Sequence, residues 1–246
     1  MRKRIKPIVV YVVLALLGLA LVIANIHNTS KQQAHLQNVK SAIPYATTPK
    51  TTTSSTSSSS DEELILNPII DLSGWQLPQD IDYDVLSNHI SGAIVRVFGG
   101  SLISKDSNAA SSNGVDKSFK THIKELKKRD VPVAVYSYAQ GTSVKEMKEE
   151  ARIFYKNASP YKPTYYWIDV EEETMSNMEQ GVQAFLAELK RLGAENVGLY
   201  IGAYFMLEQE VSTKNFDAVW IPAYGTDSGY YEALPNTEID YDLHQY

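Results

Sequence analysis

Three regimes of apolar and polar residues succeed one another along the chain. From Pro7 to Ile26 an apolar run is interrupted by no charged residue, and its length suffices to cross about 30 Å of hydrocarbon as a helix. From Lys31 to about Glu63 the pattern is polar and aperiodic, and residues 47–60 are all Thr and Ser apart from Pro49 and Lys50. Beyond Leu64 short apolar, β-branched or aromatic runs alternate with amphipathic stretches, which predicts repeated βα units around a parallel sheet.

Seven runs read as strands: Pro68–Asp71, Gly92–Phe98, Val133–Tyr138, Thr164–Asp169, Val197–Ile201, Ala218–Ala223 and Tyr241–Tyr246. Helical spacing is clearest over Ser118–Arg129, Ser143–Asn157 and Met178–Leu192, with Gly193 as the stop of the last. Ala93, Ile94 and Val95 are apolar on consecutive positions, as expected where both faces of a parallel sheet are covered. No glycine-rich phosphate loop follows the first strand, and chemically informative residues end many different strands. That distribution favours an α/β fold of the modified TIM-like barrel type over an open sheet, although seven strands leave an eight-stranded barrel one short.

Charge divides the chain along the same boundaries. Arg2, Lys3, Arg4 and Lys6 precede the first apolar run, so the positive-inside bias predicts a retained single-pass anchor that delivers everything after His27 outside the cell; a cleaved leader is the alternative. The expected organisation is a cytoplasmic basic segment (1–6), a transmembrane helix (7–26), a flexible Ser/Thr-rich linker (27–66) that cannot bury enough apolar surface to order itself, and a folded domain (67–246). Residues 1–60 hold seven Lys and Arg and no acidic residue, which leaves 16 basic against 29 acidic side chains in the remainder. Such a surface excludes nucleic acid as a partner, since neutralising phosphates needs a basic face. The absence of cysteine removes disulfides, thiolate metal sites and cysteine nucleophiles.

The candidate chemistry is carried by carboxylates. In Tyr165-Tyr166-Trp167-Ile168-Asp169-Val170-Glu171 an apolar strand ends in two acids two positions apart, on one face. At a barrel mouth their mutual repulsion and partial burial would raise the pKa of one, as a general acid for a glycosidic oxygen requires. Asp71 ends the first strand before Leu72-Ser73-Gly74-Trp75-Gln76; alone it reads equally well as a turn cap, but it falls at the same barrel end. Arg96 interrupts a strand otherwise fit for burial and needs an anionic partner if buried. It either faces those carboxylates or packs its stem and emerges at the strand end. Sugars bind flat apolar faces edged with hydrogen-bonding groups, so Trp75, Tyr138 and Tyr224 are candidate substrate contacts together with Gln76, Arg96 and Gln245. The five histidines show no paired ligand spacing and no G-x-S-x-G elbow occurs, so neither a metal, a cofactor nor a serine triad is expected.

These motifs, taken in order, resemble glycoside hydrolase family 25, the Chalaropsis-type lysozymes. I-D-L-S-G-W-Q at 70–76 and I-D-Y-D-V-L at 81–86 look like the family's opening, G-A-I-V-R-V at 92–97 like its second strand, and D-K-S-F-K-T-H-I-K at 116–124 like the helix that follows. V-P-V-A-V-Y-S-Y-A at 131–139, W-I-D-V-E at 167–171, V-G-L-Y at 197–200, V-W-I-P-A-Y-G at 219–225 and Y-D-L-H-Q-Y at 241–246 are similar to its later units. The resemblance implies a muramidase acting on peptidoglycan glycan strands, cutting the β-1,4 bond between N-acetylmuramic acid and N-acetylglucosamine. Glu171 then looks like the proton donor and Asp169 and Asp71 like its charged partners. It also implies a final strand after Tyr246 bearing another acid, and a tryptophan where His244 stands. The alternatives to a muramidase are a non-catalytic wall-binding or assembly module on the same barrel, and a glycosidase of chitin type.

Overall fold

A computed structural model describes residues 68–103, 105–226, 231 and 233–246. The expected anchor and linker lie outside the described residues, among which no helix is long and apolar enough to cross a membrane. One seven-stranded sheet runs in chain order, β1 (Ile69–Leu72), β2 (Gly92–Phe98), β3 (Val133–Tyr138), β4 (Tyr166–Val170), β5 (Val197–Ile201), β6 (Ala218–Pro222) and β7 (Leu243–Gln245). Every neighbouring pair is parallel. Helices α1 (Tyr83–Ser87), α2 (Phe119–Lys127), α3 (Val144–Ala158), α4 (Met178–Leu192) and α5 (Ala203–Glu208) fill the connections.

The seven expected strands and three long helices are present, with differences at their ends. β4 starts at Tyr166 rather than Thr164, because before the regular ladder begins the Thr164 amide donates once to the Val133 carbonyl and the Tyr165 carbonyl accepts once from the Val135 amide. β7 is half the expected length, since Asp242 turns its carboxylate onto the Val219 amide at 2.8 Å and so marks the strand's start. α1 and α5, of five and six residues, are too short to show a helical period; α1 is instead announced by Asp82, whose carboxylate caps the amides of Asp84 and Val85. α4 ends at Gly193 with φ +104, the left-handed stop its sequence expects.

The period-two alternation of strand side chains separates two cores. On the outer face of the sheet, Val95 and Val97 belong to one buried cluster with Phe119, Ile123 and Leu126 of α2, Met147 and Phe154 of α3, and Phe185 and Leu189 of α4. On the inner face, Ile94, Ala134, Trp167, Tyr200, Ala218 and Trp220 form a smaller cluster that fills the curl of the sheet as layered side chains fill a barrel. Gly198 belongs to this layer. A Cβ there would stand 2.4 Å from the Trp167 ring, so the missing side chain makes room for the indole in this inner layer. Among the described residues no ladder joins β7 to β1, and the barrel is unclosed on that side. Gln245 bridges the gap at the C-terminal end, its Nε2 donating to Asp71 Oδ2 at 2.9 Å.

Candidate active site

Because all the strands are parallel, their C-terminal ends form one rim. Asp71 sits on β1 opposite Ile94 of β2, and Asp169 on β4 lies between Tyr138 and Tyr200 of the flanking strands. Glu171 follows β4 directly. These three carboxylates, with Tyr136, Tyr200, Trp220, Tyr224 and Gln245, line a cavity of about 130 Å³ at the rim. A larger cavity of about 430 Å³ occupies the unclosed side between β1 and β7 and shares Asp71, Trp220 and Gln245 with the first. It is walled by Ile70, Leu243, His244 and Tyr246, so the carboxylate pocket opens sideways into an apolar groove.

The electrostatics of the three acids differ with their depth. Asp169 is 6% exposed, and burial first, then repulsion from and hydrogen bonding with Glu171, push its carboxyl well above the usual carboxylate range against the opposing field of Arg96. Its Oδ1 has no hydrogen-bond partner among the described residues. Glu171 stands nearer the solvent; partial desolvation raises it too, while its bond with Asp169 works the other way. Asp71 is exposed at the rim; desolvation by the protein around it raises its pKa, while the hydrogen bonds from Gln245 and from its own backbone work the other way. Asp169 and Glu171 therefore act as a coupled pair that shares a proton more readily than two free carboxylates. Burial also raises the phenols of Tyr136, Tyr138 and Tyr200, which remain neutral donors.

The remaining residues singled out in the sequence divide into two groups. Tyr224 and Gln245 line the pocket. Arg96 has the anionic partner its burial demands, but that partner is Asp116, whose Oδ2 accepts from Nε at 3.0 Å, and toward the site carboxylates its field acts on Asp169 without a direct bond. Tyr138 stands to one side, its phenol against the Glu172 carboxylate. Gln76 turns back on its own loop, Oε1 accepting from the Ser73 amide at 2.9 Å, and Trp75 is 63% exposed on that same loop. Neither borders the carboxylate cavity.

Tyr136, Tyr200 and Asp116 escaped the sequence reading as site residues. Tyr136 lies two positions before Tyr138 and so faces the same way, a signal that alternation alone supplies. Asp116 fully buries its side chain and accepts from the amides of Gly74 at 2.7 Å, Ser118 at 2.8 Å and Phe119 at 3.1 Å besides Arg96. It thus ties the β1 loop, β2 and the start of α2 together. Its place just ahead of a helix start was the available clue. Gly74 completes the arrangement, since a Cβ there would overlap the Ala109 carbonyl oxygen at 2.1 Å.

Residues 70–246 match the sequence profile of Glycosyl hydrolases family 25. Among solved structures, the chain is 56% identical to GHIP, a glycosyl hydrolase 25 and virulence factor of Streptococcus pneumoniae participating in host cell invasion, over 74% of this chain and 79% of that one, with a TM-score of 0.72. It is 26% identical to the catalytic domain of the endolysin Ply40 from bacteriophage P40 of Listeria monocytogenes, over 72% and 82% of the two chains, with a TM-score of 0.61. A family GH25 lysozyme from Aspergillus fumigatus shares the fold at 14% identity, over 67% and 79%, with a TM-score of 0.50. No curated protein matches the chain.

Proposed function

We propose that this chain, which belongs to glycosyl hydrolases family 25 and is a lysozyme-like glycoside hydrolase, cuts peptidoglycan glycan strands at the β-1,4 bond between N-acetylmuramic acid and N-acetylglucosamine. The observation that carries the reading is the meeting of Asp71, Asp169 and Glu171 in one pocket, although Asp71 and Asp169 lie 98 positions apart in the chain. A wall of phenols and one indole surrounds them, the flat, hydrogen-bonding surface that pyranose rings pack against.

In this reading Glu171 protonates the glycosidic oxygen. It is the outer member of the coupled pair, and a sugar ring seated over it removes the water that stabilises its ionised form. Substrate binding thereby raises its proton affinity further and draws the shared proton outward from Asp169. Asp169, left ionised beneath, and Asp71 across the pocket face the positive charge that develops on the sugar ring. The unpartnered Oδ1 of Asp169 is a buried acceptor for which a substrate O–H or N–H is the fitting donor.

The pH dependence follows from the signs of the shifts. Activity needs Asp71 ionised, so it is lost as pH falls through the raised pKa of that group, and it needs the Asp169–Glu171 pair to hold one proton, so it is lost as pH rises through the pair's upper pKa. Both limbs move upward relative to free carboxylates, whose ordinary values lie near 4. Purified cell wall incubated with the full chain is expected to release reducing ends along a bell-shaped profile lying above about pH 4. Binding of wall without any release of reducing ends contradicts hydrolysis and supports the non-catalytic module.

A further inference from the structure

Four side chains from four parts of the fold form a continuous hydrogen-bonded chain across the rim. Tyr200 Oη on β5 is 3.0 Å from Tyr224 Oη beyond β6. Tyr224 Oη donates to Gln245 Oε1 on β7 at 2.9 Å, and Gln245 Nε2 donates to Asp71 Oδ2 on β1 at 2.9 Å. Chemistry fixes the direction. An ionised carboxylate only accepts, so Gln245 must turn its NH₂ toward Asp71 and its carbonyl toward Tyr224. Tyr224 must then spend its single proton on that carbonyl, which leaves its oxygen to accept from Tyr200. A flipped amide would set two acceptors against each other at Asp71 for as long as that carboxylate is charged.

We propose that Gln245 is a positioning residue for Asp71, locked in one amide orientation by Tyr200 and Tyr224, rather than a ligand of the sugar. The inference rests on the hydrolase reading above for its consequence in catalysis, but the relay itself is a property of the free protein. Its location gives it a task. It links β7 to β1 at the rim, where no ladder joins these two strands among the described residues. Chains of hydrogen bonds that all run in one sense reinforce one another in a low-dielectric pocket.

The groups around Asp71 decide what loss of the relay does. They are Tyr136 on β3, Asp169 and Glu171 at the end of β4, Tyr200 and Tyr224 on β5 and beyond β6, and His244 and Tyr246 on and just after β7, while Arg96 of β2 acts on Tyr136 and Asp169. Charge on Asp71 and charge on Asp169 disfavour each other, the Arg96 guanidinium is already committed to Asp116, and the phenols are neutral. Gln245 is thus the neutral side-chain donor that sustains the ionised form, beside a backbone amide. Its removal moves the titration of Asp71 to higher pH, and the acid limb of activity, which requires the ionised group, moves the same way.

The test compares the full chain with Gln245→Leu and Tyr224→Phe, following the ¹³C shift of the Asp71 carboxyl against pH together with the pH dependence of kcat and KM on purified wall. Gln245→Leu is expected to raise the Asp71 midpoint and the acid limb of kcat in parallel, with KM changed less than about twofold. Tyr224→Phe, which removes one oxygen and keeps the ring, is expected to shift both in the same direction by less, because it frees the amide to turn without deleting it. An unmoved Asp71 midpoint in Tyr224→Phe and Gln245→Leu overturns the proposal, as does a large rise in KM with an unmoved acid limb, which would make Gln245 a sugar ligand. If Gln245→Leu fails to fold, the Tyr224→Phe titration decides alone. Absence of wild-type activity rejects the hydrolase reading instead, and the carboxyl titration still reads the relay.

Discussion

Glu171→Gln is expected to reduce the release of reducing ends from purified wall by about 10²- to 10⁴-fold, the usual contribution of a positioned general acid. The substitution is nearly isosteric and the side chain stands at the solvent edge of the pocket, so the unfolding midpoint should stay close to that of the parent. A glutamine cannot deliver a proton, and it also removes the like charge that repels Asp169. The variant should therefore show a second signature, a lower titration midpoint for Asp169 than in the parent. Circular dichroism melts, initial rates on wall and a carboxyl titration check the three parts of this expectation separately. Rates equal to those of the parent with the same fold would remove Glu171 from the chemistry.

The largest stability effect is expected at Asp116→Ala. Its side chain is wholly buried, and the partner Arg96 is 14% exposed. Truncation strands the guanidinium without its carboxylate and leaves the amides of Gly74, Ser118 and Phe119 without their acceptor. Breaking a buried pair by removing one partner costs about 3–5 kcal/mol, a large part of the stability of an ordinary domain. Urea unfolding of the full chain should show a markedly lower midpoint with little change in slope. Activity should fall as well, because the β1 loop and the strand that carries Arg96 lose their common anchor. A midpoint within about 0.5 kcal/mol of the parent would mean that the contacts of Asp116 contribute nothing net.

Much of this architecture was legible in the sequence because βα repeats announce themselves by period. The apolar runs of β2, β3 and β5 begin and end where the pattern places them, since strands covered on both faces are apolar on consecutive positions. The ends of β4 and β7 were less legible, for there the ladder is replaced by single bonds and by the side-chain cap from Asp242, which no periodicity encodes. The acidic pair at the end of β4 could be read because two residues share a face by local geometry alone. Arg96 shows the opposite case. Its burial among apolar neighbours correctly demanded an anion, but which of many acids would answer depended on how the 106–116 loop folds back over Gly74, a tertiary matter. Gln76 and Trp75 likewise sat beside Asp71 in sequence yet turn away from it, since the chain leaves the strand after Leu72 and the alternation rule ends with it.

The identity of the new reducing-end sugar tests the central claim most directly. Wall digested by the full chain, reduced with borohydride and hydrolysed to monomers, should yield muramitol as the reduced sugar, because cleavage after N-acetylmuramic acid leaves that residue at the reducing end. Glucosaminitol in its place, or no reduced amino sugar above the level of undigested wall, would contradict the account.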